Sequence, residues 1–222
     1  NIFFCFFQGV FSSTDAGKSW SNVLSLKGEN RVVNAFAYKT NDKYSIYAAT
    51  GNGLFFSFDQ AKTWVRIFQG KSGLEKDCQA LAVIGDYIYL GTKAGLFVSF
   101  DRGKNWKRQS GILGYSRILS IAFNKKPGSE VYVACVEGLF KTQNNSQSWN
   151  KIFSASSTEN DLNIEEKSEL QDEEEKSSVI RFVIIDPENN DRVYLATSSG
   201  VFQSDNSGQT WKRLAAQGLL EK

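Results

Sequence analysis

GLFVSFDRGKNW, Gly95 to Trp106, combines a Gly-aliphatic-Phe step, a short alternating run and a tight polar turn that ends on tryptophan. The turn is written four more times: SSTDAGKSW ending at Trp20, SFDQAKTW at Trp64, TQNNSQSW at Trp149 and SDNSGQTW at Trp211. Each follows its own glycine step: Gly9-Val10-Phe11, Gly53-Leu54-Phe55, Gly138-Leu139-Phe140 and Gly200-Val201-Phe202. The tryptophans fall 44, 42, 43 and 62 residues apart. A period of this size marks one supersecondary unit copied along the chain.

Outward from Gly95, the chain reads as short strands separated by turn residues. Leu81 to Ile84 is an apolar run, Gly85-Asp86 is a turn, and Tyr87 to Thr92 is rich in β-formers. Leu96 to Phe100 alternates, and Asp101 to Lys104 turns into Trp106-Lys107-Arg108. These are strands A to D of one unit. Strand A recurs at Val33–Tyr38, Ile118–Phe123 and Ile180–Ile185, and strand B at Tyr44–Thr50, Val131–Val136 and Val193–Thr197. Four strands in some forty residues predict the blade of an all-β propeller of four-stranded antiparallel sheets. The blades cover about 1–26, 27–70, 71–112, 113–153 and 177–216 of a single propeller domain, 1–222, and the first has no strand A.

The turn chemistry explains the motif. An Asp or Asn side chain accepts hydrogen bonds from backbone N–H groups just ahead of it, and Gly supplies the positive φ. The tryptophan adds a large buried surface and one N–H that needs an acceptor. The pattern S/T-x-D/N-x-G-x-S/T-W after G-[VL]-F resembles the Asp-box, or BNR repeat, of sialidase-like propellers and photosystem assembly factors. The second copy departs from it with Ala61, the fourth with Asn144 and Ser146, and the fifth with Asn206. The resemblance implies that these turns lie at the blade periphery. Asp15, Trp20, Asp59, Trp64, Asp101, Trp106, Asn144, Trp149, Asn206 and Trp211 are therefore expected to be structural.

Composition narrows the function. The net charge is +2, but residues 154–178 hold nine acids and two lysines, so the rest of the chain is basic. That basic charge is scattered over turns and forms no stripe, and a nucleic-acid partner is not expected. No apolar run is long enough for a membrane span. Without a histidine, Ser-His-Asp and Cys-His triads and His-ligated metals are excluded. Cys5, Cys78 and Cys135 have no metal-ligand spacing and read as buried free thiols. No cofactor and no metal are expected.

The acidic stretch 154–178 is free of aromatics and reads as a disordered insert between strand D of one blade and strand A of the next. The chain lacks Met and ends eleven residues after Trp211. A monomer or a part of a larger propeller chain is expected; Leu219 and Leu220 closing a five-bladed ring is the alternative. The Asp-box resemblance implies export, and Asn144-Asn145-Ser146 is a glycosylation sequon.

Ligands of related propellers sit at the D-to-A connections, which carry Lys27, Glu29 and Arg31, then Glu75, Lys76 and Asp77, then Tyr115 and Arg117, then Arg181. Arg31, Lys76, Arg117 and Arg181 are the candidate ligand-binding residues, since guanidinium forks suit carboxylates. A sialidase is expected to carry an Arg-Ile-Pro segment, whereas Arg117-Ile118-Leu119 lacks the proline. The catalytic candidates are Tyr115 as nucleophile with Glu75, and Asp77. The uniform blades favour a non-catalytic scaffold for a protein or glycan partner; a sialidase-like or xyloglucanase-like glycoside hydrolase, or a structural spacer in a longer chain, are the alternatives.

Overall fold

The computed structural model describes residues 2–6, 9–28, 30–39, 42–124, 130–154 and 179–214. Glu29, the acidic segment from 155 onward, Leu219 and Leu220 lie outside them. The described residues form five antiparallel sheets, each a simple meander. The first has three strands, β1 (Ile2–Phe6), β2 (Gly9–Ser13) and β3 (Ser21–Ser25). The others have four. They are β4 (Val33–Lys39) to β7 (Val65–Phe68) through β5 (Asp42–Thr50) and β6 (Gly53–Ser57), then β8 (Cys78–Ile84), β9 (Tyr87–Thr92), β10 (Gly95–Ser99) and β11 (Lys107–Arg108). The last two are β12 (Ile118–Phe123), β13 (Val131–Cys135), β14 (Gly138–Thr142) and β15 (Asn150–Ser154), then β16 (Ile180–Ile185), β17 (Val193–Thr197), β18 (Gly200–Ser204) and β19 (Lys212–Leu214). This is the all-β architecture of propeller blades, with strands A to D in sequence order.

The chain divides into two compact units, residues 1–118 and 119–222. In the first, Val10 and Leu24 of blade 1 pack with Ala48, Val33, Phe36 and Phe55 of blade 2. The other side of blade 2, Tyr47, Ala49, Leu54 and Phe68, packs on Cys78, Val83, Ile88, Leu90 and Phe97 of blade 3. The second unit repeats this interface: Tyr132, Ala134, Leu139 and Phe153 of blade 4 meet Ile180, Val183, Val193, Leu195 and Phe202 of blade 5. Blades 2, 3 and 5 thus turn one face, the rear, toward the blade before them, and blades 1, 2 and 4 turn the other, the forward face, toward the blade after. Period-two alternation lets one strand serve both.

The glycine that opens strand C is required by close approach. A Cβ on Gly53 would lie 2.2 Å from the Phe68 carbonyl oxygen, and one on Gly138 would lie 2.3 Å from that of Phe153. Strand D crosses directly over this position, and the pairing bulges beside it between Leu54 and Phe55 and between Leu139 and Phe140. A threonine at the end of strand B secures the same corner. Thr50, Thr92 and Thr197 each donate a hydroxyl to the carbonyl of the following glycine, Gly53, Gly95 and Gly200, at 2.8–2.9 Å.

Candidate binding site

The Trp-ended turns are built alike in all five blades. The Ser or Thr that ends strand C accepts from the backbone N–H four residues on: Gly17 to Ser13 at 2.8 Å, Ala61 to Ser57 at 2.9 Å, Gly103 to Ser99 at 2.7 Å, Ser146 to Thr142 at 3.2 Å and Gly208 to Ser204 at 2.8 Å. The Asp or Asn two residues on accepts the N–H of Ser19, Thr63, Asn105, Ser148 or Thr210 at 2.8–3.0 Å. In blades 1 to 3 the second carboxylate oxygen also accepts, from Ser19 Oγ at 2.6 Å, Thr63 Oγ1 at 2.7 Å and Asn105 Nδ2 at 2.6 Å. In blades 4 and 5 the direction reverses: Asn144 Nδ2 donates to Ser148 Oγ and Asn206 Nδ2 to Thr210 Oγ1, both at 2.8 Å. The donors around Asp15, led by the Ser19 hydroxyl and amide, hold its pKa down to about 2. Asp59 is lowered chiefly by Thr63 and Asp101 by Asn105. Every oxygen of these carboxylates that receives a bond receives it from its own turn.

Asn144 spends both polar atoms in its turn, and Ser146 is buried. The sequon is thus part of the clip, with Asn144 itself exposed. The indole N–H of Trp106 donates to Ile67 O of the preceding blade at 3.0 Å, and that of Trp211 to Ile152 O at 3.1 Å. The indole N–H of Trp64 is buried without an acceptor. The glycine that Ala61 replaces is required in the third and fifth turns by close approach. A Cβ on Gly103 would lie 2.7 Å from Ile67 Cδ1 and one on Gly208 2.4 Å from Ile152 Cδ1, whereas the residue that precedes Ala61 in the same relation is Val23, one carbon shorter.

The D-to-A connections hold a different kind of polar cluster. One helical turn, α1 (Gly73–Lys76), is capped by Ser72, which accepts from Glu75 N at 3.2 Å, while Glu75 Oε2 accepts from Lys71 N at 2.6 Å. The chain then enters β8 through Asp77, whose carboxylate is buried. Four side chains donate to it: Asn30 at 2.9 Å, Asn34 at 3.3 Å, Gln79 at 2.5 Å and the Lys93 ammonium at 2.6 Å. Asn34 also donates to Cys78 O at 2.7 Å, which joins strand A of blade 2 to strand A of blade 3. Gln79 Oε1 accepts from Arg117 at 3.2 Å, so the network runs from the connection before blade 2 to the one after blade 3.

Arg108 organises the neighbouring loops. It pairs with Glu75 Oε1 at 3.1 Å, donates to Ala94 O at 2.6 Å and donates to Gly114 O. Gly114 ends the 3₁₀ turn Ile112–Gly114, which leaves Tyr115 projecting at 67% exposure. Arg31 and Arg117 are exposed, and Lys76 is half-buried. Arg181, exposed on β16, belongs to the second unit.

Within the first unit the structure thus links Asp77 to Arg117 and Glu75 to Arg108, but brings no bond between Tyr115 and Glu75 among the described residues. Asn30, Asn34, Gln79, Lys93 and Arg108 were not foreseen. One signal for them was available. When strands A are aligned, the residue before them reads Val32, Asp77, Arg117 and Val179, and in three copies it accepts the same backbone bond, from Gly51, Lys93 and Ser198. An aspartate among valines at a buried position needs partners.

Cys78 and Cys135 are buried free thiols, and burial pushes the Cys78 thiol up, away from reactivity. Among the described residues there is no group of three or more His, Cys, Asp or Glu that could hold a metal, and no helix is long and apolar enough to cross a membrane.

No protein-family model matches the chain, and no curated protein does. Solved structures do. The extracellular domain of a putative hybrid two component system from B. thetaiotaomicron superposes with a TM-score of 0.69 at 15% identity, over 96% of this chain and 27% of that one. An ancestral GH74 enzyme gives 0.67 at 18% identity, over 94% and 28%. YCF48 bound to D1 peptide gives 0.58 at 16% identity, over 93% and 61%. The chain spans 28–42% of the length of the GH74 structures and 26–27% of that of the two component system domains. At these identities the likeness carries the propeller fold.

Proposed function

We propose that the chain is a non-catalytic Asp-box propeller module that binds a protein or glycan partner through its D-to-A connections. The observation that carries this reading is the use made of the buried Asp77 and the half-buried Glu75. Asp77 takes four donors, one of them cationic, and Glu75 is held by Arg108 and the Lys71 amide. A general acid or base has to exchange a proton with a substrate, and a nucleophile's partner has to reach it. These acids instead hold loops in place. What the loops present outward is Tyr115, Leu74, Arg31 and Arg117, a mixture of aromatic, apolar and guanidinium groups typical of contact anchors. Lys76 extends this contact set; Arg181 lies in the second unit and is a separate candidate there. YCF48 bound to a peptide is a protein of similar fold in that role. Several neighbours are extracellular domains, which supports an extracytoplasmic setting.

Glycoside hydrolysis is the second reading, favoured by the likeness to GH74 enzymes. One experiment separates them. The chain is screened on a glycan array and a peptide array, and incubated with xyloglucan while reducing ends are measured. The binding reading expects saturable capture, weakened about tenfold by Tyr115→Ala, with no reducing ends released. Release that disappears in Glu75→Gln or Asp77→Asn would overturn it.

A further inference from the structure

Within the first unit a cleft of about 410 Å³ opens between strand D of blade 2 and strands C and D of blade 3. Its floor is aromatic. Phe68 lies 4.9 Å from Phe97 and 5.0 Å from Trp106, ring centre to ring centre, and Ile67 completes the apolar surface. Blades 4 and 5 meet on the same three rings, Phe153, Phe202 and Trp211, so the floor by itself belongs to the way blades pack.

The chemistry of the cleft comes from its wall, the connection from Gln69 to Glu75. Gly70 turns this connection at φ +66°, where a Cβ would lie 2.7 Å from the Glu75 carbonyl carbon. Glu75 Oε2 accepts from the Lys71 amide at 2.6 Å, and its Oε1 accepts from Arg108 at 3.1 Å. Arg108 also donates to the Ala94 and Gly114 carbonyls, and its guanidinium stands 5.6 Å from the centre of the Phe97 ring. The wall is therefore fixed before any ligand arrives. Lys71 lines the cleft and is exposed, and among the described residues its ammonium joins no ion pair.

An aromatic floor suits cations, sugars and apolar groups. Lys71 and Arg108 against Glu75 leave the lining one positive charge in excess, which repels a cation. Each oxygen of the Glu75 carboxylate already accepts a bond, which leaves little for the hydroxyls of a sugar. What remains is an apolar group with an anion beside it. From this complementarity we infer that the cleft binds a peptide segment of a partner protein in which an aromatic side chain is followed by Asp or Glu. The ring enters over Phe68, Phe97 and Trp106, and the carboxylate meets the Lys71 ammonium. A cleft of this volume is of the size that holds a small ligand, and so has room for such a pair of side chains. The inference rests on the reading that the connections bind a partner, and it adds the kind of sequence that the partner carries.

Titration of the isotopically labelled chain with capped peptides tests this: Gly-Phe-Glu-Gly, Gly-Phe-Gln-Gly and Gly-Ala-Glu-Gly. The Trp106 indole N–H, which donates to Ile67 O across the floor, and the Lys71 amide report occupancy. The Phe-Glu peptide is expected to shift both resonances saturably, with binding about fivefold weaker for the Gln peptide and about tenfold weaker for the Ala peptide. Lys71→Glu should weaken the Phe-Glu peptide about fivefold or more. Lys107→Glu makes the same change of charge at an exposed position outside the lining and should leave binding unchanged. Both lysines are exposed, so both variants should melt as the parent does. Equal weakening by the two variants, or no shift with any peptide, overturns the inference. Capture of a protein on the array that Tyr115→Ala weakens and Lys71→Glu does not removes this cleft alone and leaves the binding role of the connections standing.

Discussion

The first unit closes its Trp-ended turns with Asp15, Asp59 and Asp101, and the second with Asn144 and Asn206, in nearly the same geometry. The backbone bond that defines the turn is indifferent to the exchange, because Oδ1 accepts it in either residue. The second bond is not. A carboxylate must accept it, while an amide donates it, and hydroxyls of Ser and Thr serve either way. The turns of the two units therefore share a shape while only those of the first close on ionised carboxylates. A second contrast runs beside this. Before strand A, blade 3 carries Asp77 bonded to Lys93, where blade 5 carries Val179 beside Ser198.

The largest expected effect probes what the units share. Trp106→Ala and Trp211→Ala should each destabilise by about 3–5 kcal/mol in urea melts, since both empty a large site between blades. A loss in one unit much smaller than in the other would break the equivalence of the two interfaces. Next, Asp77→Val strands the Lys93 ammonium and should cost about 3 kcal/mol, whereas Asp77→Val/Lys93→Ser, which copies blade 5, should recover most of it. Failure of the double variant to recover would show that Asn30, Asn34 and Gln79 dominate the cluster.

Smaller effects separate the turns. Trp106→Phe and Trp211→Phe lose a cross-blade hydrogen bond and should each cost about 1 kcal/mol more than Trp64→Phe, whose indole N–H has no acceptor to lose. Acid then distinguishes the units. Asp15 has a folded pKa of about 2 against an ordinary 3.8, so its contribution is complete above 3.8 and disappears as pH falls toward 2. The indole N–H resonances of Trp20, Trp64 and Trp106 should lose their native shifts in that window before those of Trp149 and Trp211. Smallest of all, Asp15→Asn should leave stability at neutral pH unchanged, because Ser19 can accept from an amide as Ser148 does, and should remove one acid-labile turn. A large loss at neutral pH would show that charge, and not only geometry, holds the first unit.

The blades were legible because their determinants are local. The glycine before each Phe, the Asp or Asn of each turn and the closing Trp lie within about a dozen residues, and five copies made the period plain. Strand A of blade 3 begins at Cys78, fourteen residues beyond Trp64 as the repeat spacing implies, and Cys78 and Ala80 pair across a bulge with Thr92 and Gly91. The candidate site was legible only in part. Asp77, Arg117 and Glu75 stood out as charged residues on connections, but Asn30 and Asn34 reach Asp77 from more than forty positions away, a distance no motif spans.

By itself the sequence determined the repeating unit, the strand order within it and the chemistry of its turns, since each rests on backbone conformations and hydrogen bonds made between near neighbours. Only the tertiary structure decided which acids are consumed as struts and which side chains face outward. It also decided which side chains fill the interfaces between blades 2 and 3 and between blades 4 and 5. Those outcomes depend on which blade packs against which, and a side chain's role changes when the neighbour opposite it is present or absent.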